Sequence, residues 1–319
     1  MRFLLILLAL PLLATFAPAR LIEAPDNPAR PAIWAEPVPL RTDAAGATRL
    51  GRLRFLGGWW LRSNHPDFGG LSAMHVSDGA VTAVNDNGVV LRFPLPSRAG
   101  ALPLQVLELT EAPGANKKQR DSEALAMHER QAWISFERSN AIYRYRLPAW
   151  RREASARPPV ISKWPVNSGG EAMVRLRDGR FLLFSENSRR KDGSTEVVLF
   201  DRDPTQPDTD AAVLTYRGPE GYRITDAAEL PDGRLLFLNR RVSLMNGITA
   251  RLTIAEKPQL FAGAVLTGVE IAAFAPPVTT DNYEALSLTW ESGRTILWIA
   301  SDDNFIQLQR TLLMKFLLE

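Results

Sequence analysis

The sequence predicts an all-β fold, a β-propeller of five four-stranded blades, with the last blade closed by an N-terminal strand. Three observations lead there. One hairpin layout recurs five times, successive copies are spaced by about one blade, and the chain ends one strand short of its last unit.

The five hairpins lie at residues 68–88, 121–140, 169–188, 225–243 and 282–304. Each pairs two short apolar strands around a turn: Asp78-Gly79, Glu129-Arg130, Asp178-Gly179, Asp232-Gly233 and Ser292-Gly293. Asp-Gly between apolar runs favours a hairpin because glycine takes positive φ at little cost. Counted from the second turn residue, the spacings are 51, 49, 54 and 60 residues, enough for four strands and their loops. Outer strands are predicted at 89–95 and 104–109, 141–147 and 158–164, 195–202 and 211–218, and 249–256 and 265–274. Only 309–318 follows the fifth hairpin, so the strand-like segment 49–61 completes that blade and removes two sheet edges. A sixth blade is the alternative if residues ahead of Leu71 pair among themselves.

The 23 prolines and 21 glycines, spread through 319 residues, argue against a helical bundle. With no cysteine there is no disulfide, thiolate metal site or cysteine nucleophile, and three histidines make a His-rich metal site improbable. The net charge of +3 does not indicate nucleic-acid binding. Residues 1–19 have the layout of a signal peptide: Arg2, an apolar run over 3–17 and Ala17-Pro18-Ala19. That run of 15 residues falls short of the roughly 20 needed to span a bilayer, so a stable membrane anchor is not expected after cleavage. A periplasmic or secreted protein is expected. Residues 20–48, with prolines at 25, 28, 31, 37 and 39, form an extended lead-in to a single domain over 49–319.

The repeat organises the carboxylates. The first strand of a blade lines the channel and the second returns beside it, so the start of one and the end of the other share a face. At strand-one starts stand Glu123, Glu171, Asp226 and Glu284, each followed by alanine, with Gly69 in the first blade. At strand-two ends stand Asp86, Glu137, Glu186, Arg240 and Asp302. Crowded like charges need a cation, an arginine or protonation. An oxygen-only set suits calcium first, then magnesium or manganese. We expect Glu123, Glu171, Asp226, Glu284, Asp86 and Asp302 as metal ligands, and Glu123, Glu171, Glu137 and Glu186 as catalytic carboxylates. Lys117, Lys118, Arg120 and Arg189, with Arg240, suit a small phosphorylated substrate. Single carboxylates at strand ends are otherwise ordinary turn residues. Isolated His65, His75 and His128, the acidic loop 201–210 and Trp59, Trp60, Trp133, Trp164, Trp290 and Trp298 read as surface or packing features.

The Glu-Ala hairpins, Gly-Gly-Leu-Ser at 69–72, Ser-Phe-Glu-Arg at 135–138, Ser-Glu-Asn at 185–187 and the Asp-Ala-Ala to Pro-Asp-Gly-Arg-Leu-Leu segment at 226–236 carry a resemblance. Over residues 50–318 the chain resembles the bacterial family described as "esterase-like activity of phytase". The resemblance implies an exported propeller and phosphoester hydrolysis attached to Glu123, Glu137, Glu171, Glu186, Asp226 and Glu284. Gly69 and Arg240 depart from an all-acidic ring. Two other functions fit the same mouth: a non-catalytic propeller binding a ligand or partner, and a calcium-dependent hydrolase of carboxylic esters or lactones.

Overall fold

The computed structural model describes residues 31–114, 120–166, 169–186 and 192–319. The chain enters through β1 (Ala32–Pro37), β2 (Arg49–Leu50) and β3 (Leu53–Ser63). The first blade is β4 (Leu71–Ser77), β5 (Ala80–Asn85), β6 (Val89–Pro94) and β8 (Gln105–Glu108), with β7 (Gly100–Pro103) leaving it to pair with β1. The second is β9 (Ser122–His128), β10 (Gln131–Phe136), β11 (Ala141–Arg146) and β12 (Arg151–Ala156). The third is β13 (Gly170–Arg175), β14 (Phe181–Ser185), β15 (Thr195–Phe200) and β16 (Ala211–Arg217). The fourth is β17 (Arg223–Glu229), β18 (Leu235–Ser243), β19 (Gly247–Ala255) and β21 (Val269–Phe274), while β20 (Val265–Thr267) joins β16 of the third blade in parallel. The fifth is β22 (Tyr283–Glu291), β23 (Arg294–Ser301), β24 (Thr311–Leu318) and β3, the last pair antiparallel from Thr311 opposite Leu61 to Leu318 opposite Leu53.

These sheets form a β-propeller. The inner strands meet in a closed cycle: β4 touches β9, then β13, β17 and β22 follow, and β22 returns to β4. Apolar residues on both faces of each sheet explain the closure, since a strand buried on both faces carries a nearly continuous apolar run. Ala73 and Val84 of the first blade pack toward Ile134 of the second, whereas Met74 and Ala83 pack toward Trp298 of the fifth. Each blade-to-blade junction thereby holds its own core, for example Phe181 on Trp133 with ring centroids 5.0 Å apart. Trp133 also donates to Asp203, so the acidic loop 201–210 carries a buried anchor rather than being wholly solvated.

Three expectations need correction. The fourth strand of the second blade is β12, not 158–164; Pro158 and Pro159 lack N–H donors, and Pro159–Ile161 forms a short 3-10 helix. Segment 265–274 is two strands, split at Gly268, where a Cβ would come within 2.6 Å of the Thr253 hydroxyl. Trp290 is 60% exposed and is not a packing residue. The lead-in contributes structure of its own: β1 sits between β3 and β7 and ties the fifth sheet to the outer edge of the first blade.

Candidate metal and acid–base site at the channel mouth

Each inner strand carries a register shift at the same height. Pairing skips Ser72, Glu123, Glu171, Thr225 and Glu284 in blades one to five. A bulge inserts an unpaired residue and re-aims its side chain. One step outward lie the cross-strand partners Gly70 and Asp86, Asp121 and Glu137, Gly169 and Glu186, and Asn282 and Asp302, each joined by a backbone hydrogen bond. Arg223 and Arg240 occupy that place in the fourth blade. The mouth therefore carries two tiers, acidic in four blades and basic in the fourth.

Within these tiers the carboxylates acquire unequal chemistry. Glu123 is pushed well above the usual carboxylate range, first by burial of its carboxyl and then by Glu171, Asp121, Asp86 and Glu284. Glu171 is pushed well up by burial, then by Glu186 and Glu284, with Arg240 opposing. Burial raises Asp302 well up too, followed by Glu284 and Asp86. Asp86 rises to about 7 through burial, although Ser72 donates to it at 2.7 Å. Glu137 also reaches about 7, through burial and then Asp121 and Glu186. Burial raises Glu284 against the opposing pull of Arg240 and Asn282, whose amide donates at 2.9 Å.

Asp226 is displaced from this ring. It stands one residue beyond the bulge of its strand, where the other blades have alanine, so its side chain leaves the ring position to Thr225. Its two oxygens accept from the backbone N–H groups of Ala227 at 2.8 Å and Leu286 at 2.7 Å, joining blades four and five. This corrects the assignment of Asp226 to a metal. Asp226→Asn should lower stability by about 2 kcal/mol, because an amide group must then face a buried N–H. Thermal unfolding in chelator and in calcium checks it: the stabilisation by calcium should equal that of the unsubstituted protein.

Asp121 is the residue sequence reasoning missed. Its carboxylate lies with those of Glu123 and Glu137 so that one oxygen from each falls within 4.8 Å of the others. Oxygens bound to calcium at 2.3–2.6 Å lie at most about 5 Å apart, so this trio fits one hard cation. Asp121 stands just ahead of its strand and is joined to Glu137 by a backbone hydrogen bond, while the bulge at Glu123 brings that side chain to the same place. Gly69 has its own explanation: a Cβ there would come within 2.6 Å of Asp303, whose carboxylate accepts from Gly70 N–H at 3.0 Å.

The basic side divides as well. Arg240 pairs with Glu284 and reaches Glu186 at 3.6 Å, and Arg223 donates to Glu186 at 3.1 Å. Burial works against the Arg240 charge, but Glu284, Glu171 and Glu186 outweigh it and raise its pKa. Arg120 packs beside Gly88, where an added Cβ would lie 2.6 Å from the Cβ of Arg120. Lys117, Lys118 and Arg189, like the signal segment 1–19, lie outside the described residues.

The family model described as "Phytase-like: Esterase-like activity of phytase" matches residues 66–305. A comparison with curated proteins returns no match. Solved structures of similar shape include the glutaminyl cyclase of Myxococcus xanthus, 11% identical with a TM-score of 0.49, covering 84% of this chain and 98% of that one. A protein of unknown function from Dyadobacter fermentans is 9% identical with a TM-score of 0.48, covering 84% and 100%. The major allergen Mala s 1 of Malassezia sympodialis is 11% identical with a TM-score of 0.45, covering 88% and 92%.

Proposed function

The chain belongs to the phytase-like family, "esterase-like activity of phytase", which indicates a hydrolase, and on that premise we propose that it is an exported phosphoester hydrolase dependent on a divalent cation, calcium foremost. The observation that carries the proposal is the convergence of Asp121, Glu123 and Glu137 on the second blade, at a mouth whose fourth blade is basic. A cation held by those three carboxylates supplies positive charge to a phosphoryl group and acidifies water. Asp86, raised to about 7, suits the general base, since a base works best with a pKa near the working pH. Glu171, pushed well above its usual range, keeps a proton to give to the leaving oxygen. Arg240 and Arg223 orient the phosphate, Arg223 held by Glu186 and Arg240 held between Glu284 and Glu186.

Hydrolysis of 4-nitrophenyl phosphate and bis(4-nitrophenyl) phosphate, with calcium and with chelator, tests this reading. Turnover that calcium restores supports it. Turnover of carboxylic esters or lactones alone, or of nothing, refutes it. Stability offers a second measurement with a definite sign. Between about pH 4 and 7 the folded Asp86 and Glu137 hold protons that unfolded carboxylates have released. Without a cation, the contribution of these two groups to stability is fully present below about pH 4 and is lost as pH rises through 7. Calcium should therefore raise the melting temperature much more at pH 8 than at pH 5, because binding needs the carboxylates deprotonated.

A further inference from the structure

The fourth blade departs from the others in a way that the proposed reaction does not use. Its second hairpin is long, with nine residues in each of β18 and β19. Successive side chains on a strand face opposite sides, so Arg240 turns to the channel carboxylates while Arg241 turns away from them. Arg241 lies over the ring of Tyr222, 4.8 Å from its centroid, and Arg251 also lies over that ring at 4.7 Å. The Tyr222 hydroxyl is 3.1 Å from the Thr249 hydroxyl, which fixes the ring between them. Stacking on an aromatic face holds a guanidinium plane while leaving its N–H edges available.

Those groups line a cavity of about 410 Å³. Its polar wall is Tyr222, Arg241, Asn246, Thr249 and Arg251, and its apolar rim includes Met245 and Pro276, while the Phe274 ring behind it is buried in the core. Arg251 is neutralised by Glu270 at 2.9 Å. Arg241 has no carboxylate partner among the described residues, and its Nε is buried without a hydrogen-bond partner. One uncompensated cation and an apolar rim thus share a single concave space large enough for a small organic molecule.

We propose that this cavity is a second ligand site, separate from the carboxylate ring, that binds a small organic anion with its phosphate or carboxylate group on Arg241 and its apolar part against Met245 and Pro276. Arg240 and Arg241 mark the boundary between the two sites, one arginine facing the ring carboxylates and the next stacked on Tyr222. The proposal does not depend on the reaction at the ring.

Titration calorimetry with phenyl phosphate and with benzoate, in chelator, tests it on the full chain and on the Glu123→Gln variant. At least one of the two should bind both proteins equally, more tightly than inorganic phosphate does, and more weakly as salt rises. Arg241→Gln should weaken that binding tenfold or more, and Arg241→Lys, which keeps the charge but not the planar fork, by an intermediate factor. Should Arg241→Gln fail to fold, Thr249→Val with Asn246→Ala serves in its place, with the same direction expected. Absence of binding by both compounds at millimolar concentration overturns the proposal, as does binding that these substitutions leave unchanged. Binding that vanishes in Glu123→Gln also overturns it, by assigning the ligand to the ring.

Discussion

Glu123→Gln should abolish calcium-stimulated phosphoester hydrolysis, lowering kcat/KM by about a thousandfold, and should also abolish the rise in melting temperature caused by calcium. The two losses share a cause. Glu123 supplies one of three carboxylate oxygens that lie within 4.8 Å of each other, and an amide donates no charge to that trio. Asp121→Asn should reproduce both effects. Glu171→Gln is the contrasting variant. Its carboxyl is raised chiefly by Glu186 of its own blade and Glu284 of the fifth, and although it is also the first charged neighbour of Glu123 it contributes no oxygen to the Asp121–Glu123–Glu137 trio. As the proton donor it should cost about 10²- to 10⁴-fold in kcat, yet leave most of the stabilisation by calcium in place. Steady-state kinetics with differential scanning fluorimetry separates the two. If Glu171→Gln loses the calcium response and Glu123→Gln keeps it, the cation belongs on the third blade and not the second.

The architecture was legible because a propeller repeats its turn chemistry. Asp-Gly pairs and buried two-faced strands are local signals, and each copy confirms the others. The strands that escaped were those with weak local signals. Strand β12 reads Arg-Arg-Glu-Ala-Ser-Ala and alternates between exposed and half-buried, since an outer edge strand need bury little. The neighbouring Pro-Pro segment has more apolar surface but cannot donate to a ladder.

The register of the candidate carboxylates was readable from the repeat except in the fourth blade, where one residue matters. Asp226 followed by alanine looks like Glu123, Glu171 and Glu284 followed by alanine. Their distances from the turn differ, however. Leu176 to Arg180 and Leu230 to Arg234 make the same turn, each closed by the same pair of backbone hydrogen bonds. Counting back eight residues from Gly179 reaches Glu171, and eight from Gly233 reaches Thr225, not Asp226. A one-residue slip sends a side chain to the other face of a strand. Bulges caused the difficulty elsewhere as well, because an unpaired residue breaks the two-residue alternation that a sequence count assumes. Asp121 and Arg223 were hidden for the opposite reason: they stand just outside or at the first residue of their strands, where charged residues are ordinary.

Arg240→Met should produce the largest change in stability and should do so in a pH-dependent way. The guanidinium is mostly enclosed, pairs with Glu284 and lies 3.6 Å from Glu186. Methionine nearly matches its stem but leaves carboxylates without compensation. Breaking one side of a buried ionic cluster costs about 3–5 kcal/mol, which corresponds to a fall in melting temperature of roughly 6–12 °C for a chain of this size. Protonation offers relief. Burial already raises Glu284 and Glu171 with Arg240 present and pulling the other way, so its removal raises them further. As pH falls a larger share of both carboxyls is neutral and the cost should shrink toward that of lost packing, whereas toward pH 8 it should grow. Activity should respond differently from stability. The anchored edge of Arg240 is one of two cations at the place that is acidic in the other blades, so its loss should raise KM for a phosphoester about tenfold, with kcat changed less. Melting curves from pH 5 to 8, beside kinetics at the pH where the variant is folded, give both numbers. A destabilisation that is the same at pH 5 and pH 8 would mean that the carboxylates do not titrate in response to Arg240, and the electrostatic account of the fourth blade would fail.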